Sequence, residues 1–164
     1  MPAEFSFDVT SEYEAAELTN ALDQARREVA TRFDFKGTDP TMERKGDLIV
    51  VEASTEDRAR AAVQVLIEKA ARRKLPAKLF KPSEPKTVGK GRGQVEVNLN
   101  AGISDDLAKS LQKKARSVSP KVQVRIQGDQ LRVTSKEKDS LQAVIKALRE
   151  DESIPVPLQF TNYR

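Results

Sequence analysis

Four stretches in the second half of the chain alternate apolar and polar residues with the period of a strand that is wet on one face. Val95, Val97 and Leu99 alternate with Gln94, Glu96, Asn98 and Asn100. Val122, Val124 and Ile126 alternate with Lys121, Gln123, Arg125 and Gln127; Leu131 and Val133 with Gln130, Arg132 and Thr134; Leu158 and Phe160 with Gln159 and Thr161. Between them the apolar spacing becomes helical. Leu107, Leu111, Ala115 and Val118 form one stripe, which Pro120 ends. Ser104 opens it as an N-cap, and Asp105 and Asp106 follow at the positive end of the helix dipole. Leu141, Val144, Ile145 and Leu148 form a second stripe, and Gly128-Asp129 is a turn between two strands. The predicted order is βαββαβ, the ferredoxin-like motif of four antiparallel strands with two helices on one face.

The first half follows the same order. Phe5, Phe7 and Val9 predict a strand; Ala15, Leu18, Leu22, Ala25 and Val29 a long helix; Thr41–Lys45 and Leu48–Ala53 a hairpin around Gly46-Asp47. Ala59, Ala62, Val63, Leu66 and Ala70 predict a second helix, and Leu79-Phe80 a fourth strand. The string Lys45-Gly46-Asp47-Leu48-Ile49-Val50-Val51 recurs 82 residues later as Gln127-Gly128-Asp129-Gln130-Leu131-Arg132-Val133, an offset of half the chain. Two ferredoxin-like domains are therefore expected, 1–90 and 91–164, with residues 82–93 as a basic, proline- and glycine-rich linker. Each half is thin for a separate core, and exchange of edge strands between the halves stays open.

Composition narrows the chemistry. The 164 residues hold no cysteine and no histidine, which excludes disulfides, Cys/His zinc sites, thiol catalysis and Ser-His catalysis. The formal charge of +4 hides a division. Residues 1–68 carry 8 Lys/Arg against 15 Asp/Glu, 69–92 carry 9 against 1, and 93–164 carry 12 against 9. Gly89-Lys90-Gly91-Arg92-Gly93 precedes a strand rather than joining a strand to a helix, so it is not a phosphate-cradling P-loop. Asp105-Asp106 reads as helix capping, and Glu150-Asp151-Glu152 as a solvated loop. The kit points to a binding protein and not to an enzyme, with no catalytic residue, no metal and no cofactor.

The informative feature is the polar face of the second sheet. Lys121, Gln123, Arg125, Gln127, Arg132, Asn98 and Tyr163 are the candidate nucleotide-binding residues. Guanidiniums fork onto phosphate, amides make paired hydrogen bonds to base edges, and a tyrosine can stack. The same composition also suits an ordinary solvated sheet face. Arg125 and Arg132 are expected to be neighbours across the Gly128-Asp129 hairpin, and replacing either by alanine is expected to leave the core filled. Lys90, Arg92, Arg72 and Arg73, within the basic stretch, are candidate phosphate or nucleic-acid contacts. The aromatic string of the RNA-recognition sheet is missing from both halves.

Several strings carry a resemblance. Phe5-Ser6-Phe7-Asp8-Val9, Arg32-Phe33-Asp34-Phe35-Lys36-Gly37, Lys121-Val122-Gln123-Val124 with Ile126-Gln127-Gly128-Asp129, and the terminal Pro157-Leu158-Gln159-Phe160-Thr161-Asn162-Tyr163-Arg164 resemble the YajQ family of bacterial nucleotide-binding proteins in order along the whole chain. Tyr163 departs from the pattern, which leads to an expected phenylalanine. The resemblance implies a cytoplasmic, non-enzymatic protein of two ferredoxin-like domains that binds nucleotides of the cyclic di-GMP or GTP class, or RNA. It implies a transcription regulator as partner for those members that are cyclic di-GMP receptors; no membrane is expected, because the longest aliphatic run, Leu48 to Val51, is far short of a bilayer span. The resemblance carries over no residue-by-residue ligand map, so the site residues above rest on the sheet face and on the family-like strings.

Overall fold

A computed structural model describes residues 4–164. The described residues are mixed α+β, with four α-helices and two antiparallel sheets. In chain order the elements are β1 (Phe5–Thr10), α1 (Ala15–Thr31), β2 (Thr41–Lys45), β3 (Leu48–Ala53), α2 (Glu56–Arg72), β4 (Phe80–Pro82), β5 (Lys86–Val88), β6 (Arg92–Leu99), α3 (Asp105–Val118), β7 (Gln123–Gln127), β8 (Gln130–Ser135), α4 (Lys138–Glu150) and β9 (Gln159–Thr161). Among the described residues no helix is long and apolar enough to cross a membrane.

Contacts divide the chain into two compact units, and the division is not the one expected at residue 90. One unit combines the residues up to Glu12 with Ala101–Arg164; the other is Tyr13–Asn100. The first unit has a four-stranded sheet in the order β7-β8-β1-β9, the second a five-stranded sheet in the order β2-β3-β6-β4 with β5 also paired to β6. Each sheet thus takes an inner strand from the other half of the sequence. Val95, Val97 and Leu99 alternate as expected, but they pair with Val51, Ile49 and Phe80 rather than with β7–β9.

In the first unit the apolar face of the sheet, with Phe7, Val9, Val124, Leu131 and Val133, packs against Leu111 and Ala115 of α3 and Leu141, Val144 and Leu148 of α4. Ser104 caps α3 by accepting from the Leu107 backbone N–H at 3.2 Å, with Asp105 and Asp106 in the first turn. Asp151 is mostly buried rather than solvated: it pairs with Lys114 and accepts from the Ser153 hydroxyl and backbone N–H at 2.6 and 2.9 Å.

In the second unit Leu18, Leu22 and Ala25 of α1 and Val63 and Leu66 of α2 are buried, as are Ile49, Val51, Val95 and Val97 of the sheet. The segment 82–93 is part of this sheet and not a linker. Pro82 ends the edge strand β4, where no ladder N–H is lost from the sheet interior. Gly93 lies inside β6, opposite Ala53 and Thr87.

Candidate functional site

The polar face of the four-stranded sheet is built in rows by strand register. Arg125 lies opposite Arg132, which lies opposite Asp8, which lies opposite Thr161. On one side of this row stand Gln123, Thr134 and Ser6, and on the other Gln127, Gln130, Thr10 and Gln159. The expected neighbourhood of Arg125 and Arg132 is present, and β1 adds a residue that the strand pattern of the second half alone did not supply. Asp8 is only 3% exposed at its side chain. It accepts from Arg132 Nε at 3.0 Å through Oδ1 and from Asn162 Nδ2 at 2.8 Å through Oδ2.

The electrostatics follow from that geometry. The hydrogen bond from Arg132 holds the Asp8 carboxyl below its ordinary range against the opposing effect of burial. The Asn162 amide and the charges of Arg132 and Arg164 lower it further. Two guanidiniums, Arg132 and Arg164, therefore act on one carboxylate. The side chain of Arg125 is exposed and makes no ion pair or hydrogen bond among the described residues. Thr10 Oγ1, buried in the neighbouring row, has no hydrogen-bond partner among the described residues.

Tyr163 is not on this face. Its ring stacks on Phe7 at 6.4 Å between centroids with 10° between planes, and its hydroxyl accepts from Gln142 of α4 at 3.2 Å. The cause is one extra residue in the terminal strand. Asp8 pairs with Thr161, and Ser6 exchanges backbone hydrogen bonds with Arg164 at 2.9 and 3.0 Å, so Asn162 and Tyr163 together oppose Phe7. Asn162 takes φ +52°, the left-handed residue of a β-bulge. The bulge turns Asn162 toward Asp8 and Tyr163 toward the helices, and strict alternation gave the reverse.

The remaining expected residues are dispersed. Asn98 is exposed on the other sheet, in the second unit. Lys121 pairs with Glu137 at 3.0 Å. Four cations of the 69–92 stretch are engaged by acids: Lys69 with Glu28 at 2.8 Å, Arg73 with Glu17 at 3.3 Å, Lys86 with Glu96 at 2.9 Å and Arg92 with Glu52 at 3.6 Å. Arg92 also donates to the Asp39 carbonyl at 2.6 Å. Arg72 and Lys90 are exposed. The stretch is thus half neutralised by its own fold instead of forming an open cationic track. Asp8, Asn162 and Arg164 were missed because their place in this site depends on pairing across the length of the chain.

Comparison with known proteins agrees with the family strings. The pattern of the family described as nucleotide-binding protein YajQ-like matches residues 5–164. A protein of Chloroflexus aggregans named nucleotide-binding protein is 50% identical over 165 residues, covering 100% of both chains. Proteins of the same name from Roseiflexus castenholzii and Mycobacterium avium are 46% and 48% identical, covering 100% and 99% of both chains respectively. This chain belongs to the YajQ-like family.

Proposed function

We propose that this protein binds nucleotides without transforming them, and that the polar face of the four-stranded sheet holds the phosphates. One observation carries the reading. Arg125 and Arg132 are directly opposite in an antiparallel pair, where like charges destabilise the sheet, and of the two only Arg132 hydrogen-bonds to Asp8. An anion between the two guanidiniums would remove the repulsion and gain forked, charge-assisted hydrogen bonds. Gln123, Gln127 and Gln130 flank the pair and offer amide donors and acceptors to a base edge. The names of the relatives support nucleotides as the anion, with the cyclic di-GMP or GTP class as the reading taken here. In the same reading each unit is ferredoxin-like, since its strand order matches that arrangement once β1 and β6 are exchanged, and the liganded sheet face signals to a partner such as a transcription regulator.

Calorimetry with GTP, cyclic di-GMP and cyclic di-AMP tests it. Binding by at least one of them, weakened about ten- to hundredfold by Arg125→Ala, is the expected result for the loss of a charge-assisted contact. Parent-like affinity in Arg125→Ala, or no binding at roughly 100 μM of any nucleotide, a concentration that would detect contacts worth only about 5–6 kcal/mol, would overturn it.

A further inference from the structure

We propose that the depression at the C-terminal end of α1, in the second unit, is a stacking site for a purine base, with the Arg32 guanidinium as its platform. The depression encloses about 540 Å³ and is lined by Val29, Thr31, Arg32, Lys36, Gly37 and Asp39 among others, a volume within the range of small-molecule sites. A free arginine here would be read as a phosphate ligand, but Arg32 is not free. Its Nε and Nη2 fork onto Asp34 at 3.0 and 2.8 Å, and its Nη1 reaches Glu28 at 3.5 Å. Glu28 is anchored in turn by Lys69 at 2.8 Å. Three of its five N–H donors are engaged by two carboxylates, which also cancel the charge. What Arg32 chiefly offers a ligand is the face of its plane.

That plane is held from several directions. Its Cζ lies 5.3 Å from the centroid of Phe35, which is buried, and the side chain remains 42% exposed. A fixed, planar, charge-neutralised guanidinium is a surface on which bases stack, through their π faces and without regard to phosphate. The rim supplies edge recognition. Lys36 and Asp39 line the same depression, and their side chains make no ion pair or hydrogen bond among the described residues. A carboxylate presents two acceptors side by side, which suits a purine edge with adjacent N–H donors. Asp39 is held at φ +47° and Gly37 at φ +77°, and left-handed backbone at a non-glycine residue is a cost that functional sites retain.

The test uses nucleosides, which have no phosphate and so separate this site from the sheet face. Guanosine, adenosine and cytidine are titrated into the ¹⁵N-labelled full chain while amide chemical shifts are followed. Purine nucleosides should move the amides of Arg32–Asp39, guanosine most, with affinity unchanged between 50 and 500 mM NaCl and unchanged in Arg125→Ala. Arg32→Lys keeps the charge and loses the plane, and should weaken guanosine about tenfold or more, in the range of base-stacking losses. Asp39→Asn, on an exposed loop outside the core, should weaken guanosine and leave cytidine unaffected. No shift in these amides, shifts confined to residues 123–134, or parent-like guanosine binding in both variants would overturn the proposal.

Discussion

Arg132 Nε donates to Asp8 Oδ1 at 3.0 Å across 124 residues of chain, so the outermost strand of the sequence is tied by an ion pair to the hairpin at positions 123–135. Because the folded Asp8 carboxyl titrates below its ordinary value, the pair stabilises the fold above the unfolded carboxylate pKa of about 3.9 and loses that contribution as pH falls through the lower folded value. Glu28 beside Lys69, Asp34 beside Arg32 and Asp151 beside Lys114 are lowered in the same direction. Asp8→Asn should cost on the order of 1–2 kcal/mol at pH 7, as for a hydrogen bond to a charged group. Urea midpoints measured at pH 7, 5, 3.5 and 2.5 should show the parent converging on the variant below about pH 4. A gap that stays constant to pH 2.5 would remove Asp8 from the acid sensitivity.

Arg125 and Arg132 should differ in stability although the sequence presents them alike. Arg125→Ala removes one of two opposed like charges and should leave the melting temperature unchanged or slightly raised. Arg132→Ala leaves Asp8 buried without its main donor and should lower it. Combining Arg132→Ala with Asp8→Asn should recover part of that loss, because the stranded carboxylate is gone. Equal melting temperatures for the two single variants would show that the ion pair contributes nothing.

Much of this site was legible and part was not, for physical reasons. Period-two alternation places Arg125 and Arg132 on the wet face, because Val124, Leu131 and Val133, which alternate with them, are buried. It says nothing of which strand lies alongside, since a row of valines and leucines packs equally well beside β1 or β6. The expected partners of Val95 and Val97 were therefore wrong while their facing was right. Tyr163 was misplaced by a single left-handed residue, Asn162, since one inserted position reverses every side chain beyond it. The prolines and glycines of segment 82–93 predict a linker, and the close approach that requires Gly93 becomes visible only with α2 in place.

Gly93→Ala discriminates between those two readings by its sign. In a flexible linker the added methyl would stabilise, by about 0.4–1 kcal/mol, through the unfolded chain. In the sheet, a Cβ at Gly93 would fall 2.2 Å from the backbone nitrogen of Glu56 and 2.2 and 2.3 Å from the carbonyl carbon and oxygen of Thr55. Thr55 is the N-cap of α2, its hydroxyl accepting from the Arg58 N–H at 3.1 Å, so the helix start would have to leave the sheet. Gly93→Ala should destabilise by about 3 kcal/mol or more, the upper end for overpacking, measured by denaturant unfolding.

Fragments test the strand exchange itself. Residues 13–100 contain β2, β3, β6, β4 and β5 with both of their helices, and should unfold cooperatively in urea with a dispersed amide spectrum. Residues 91–164, cut where the sequence repeat divides, lack β1. That strand lies between β8 and β9 and carries Phe7 and Val9, 0% and 1% exposed. Without it β9 has no neighbour in the sheet, and the burial of two large side chains, about 1.5–3 kcal/mol each, is lost from a small domain whose whole margin is of order 5 kcal/mol. The 91–164 fragment should therefore be unfolded, and a synthetic peptide of residues 4–12 added in trans should restore dispersion to its spectrum. Residues 1–90 lack β6 and should fail in the same way, since β3 and β4 then lose the strand that joins them. Cooperative folding of 91–164 alone, or failure of 13–100 to fold, would return β1 and β6 to their own halves of the chain.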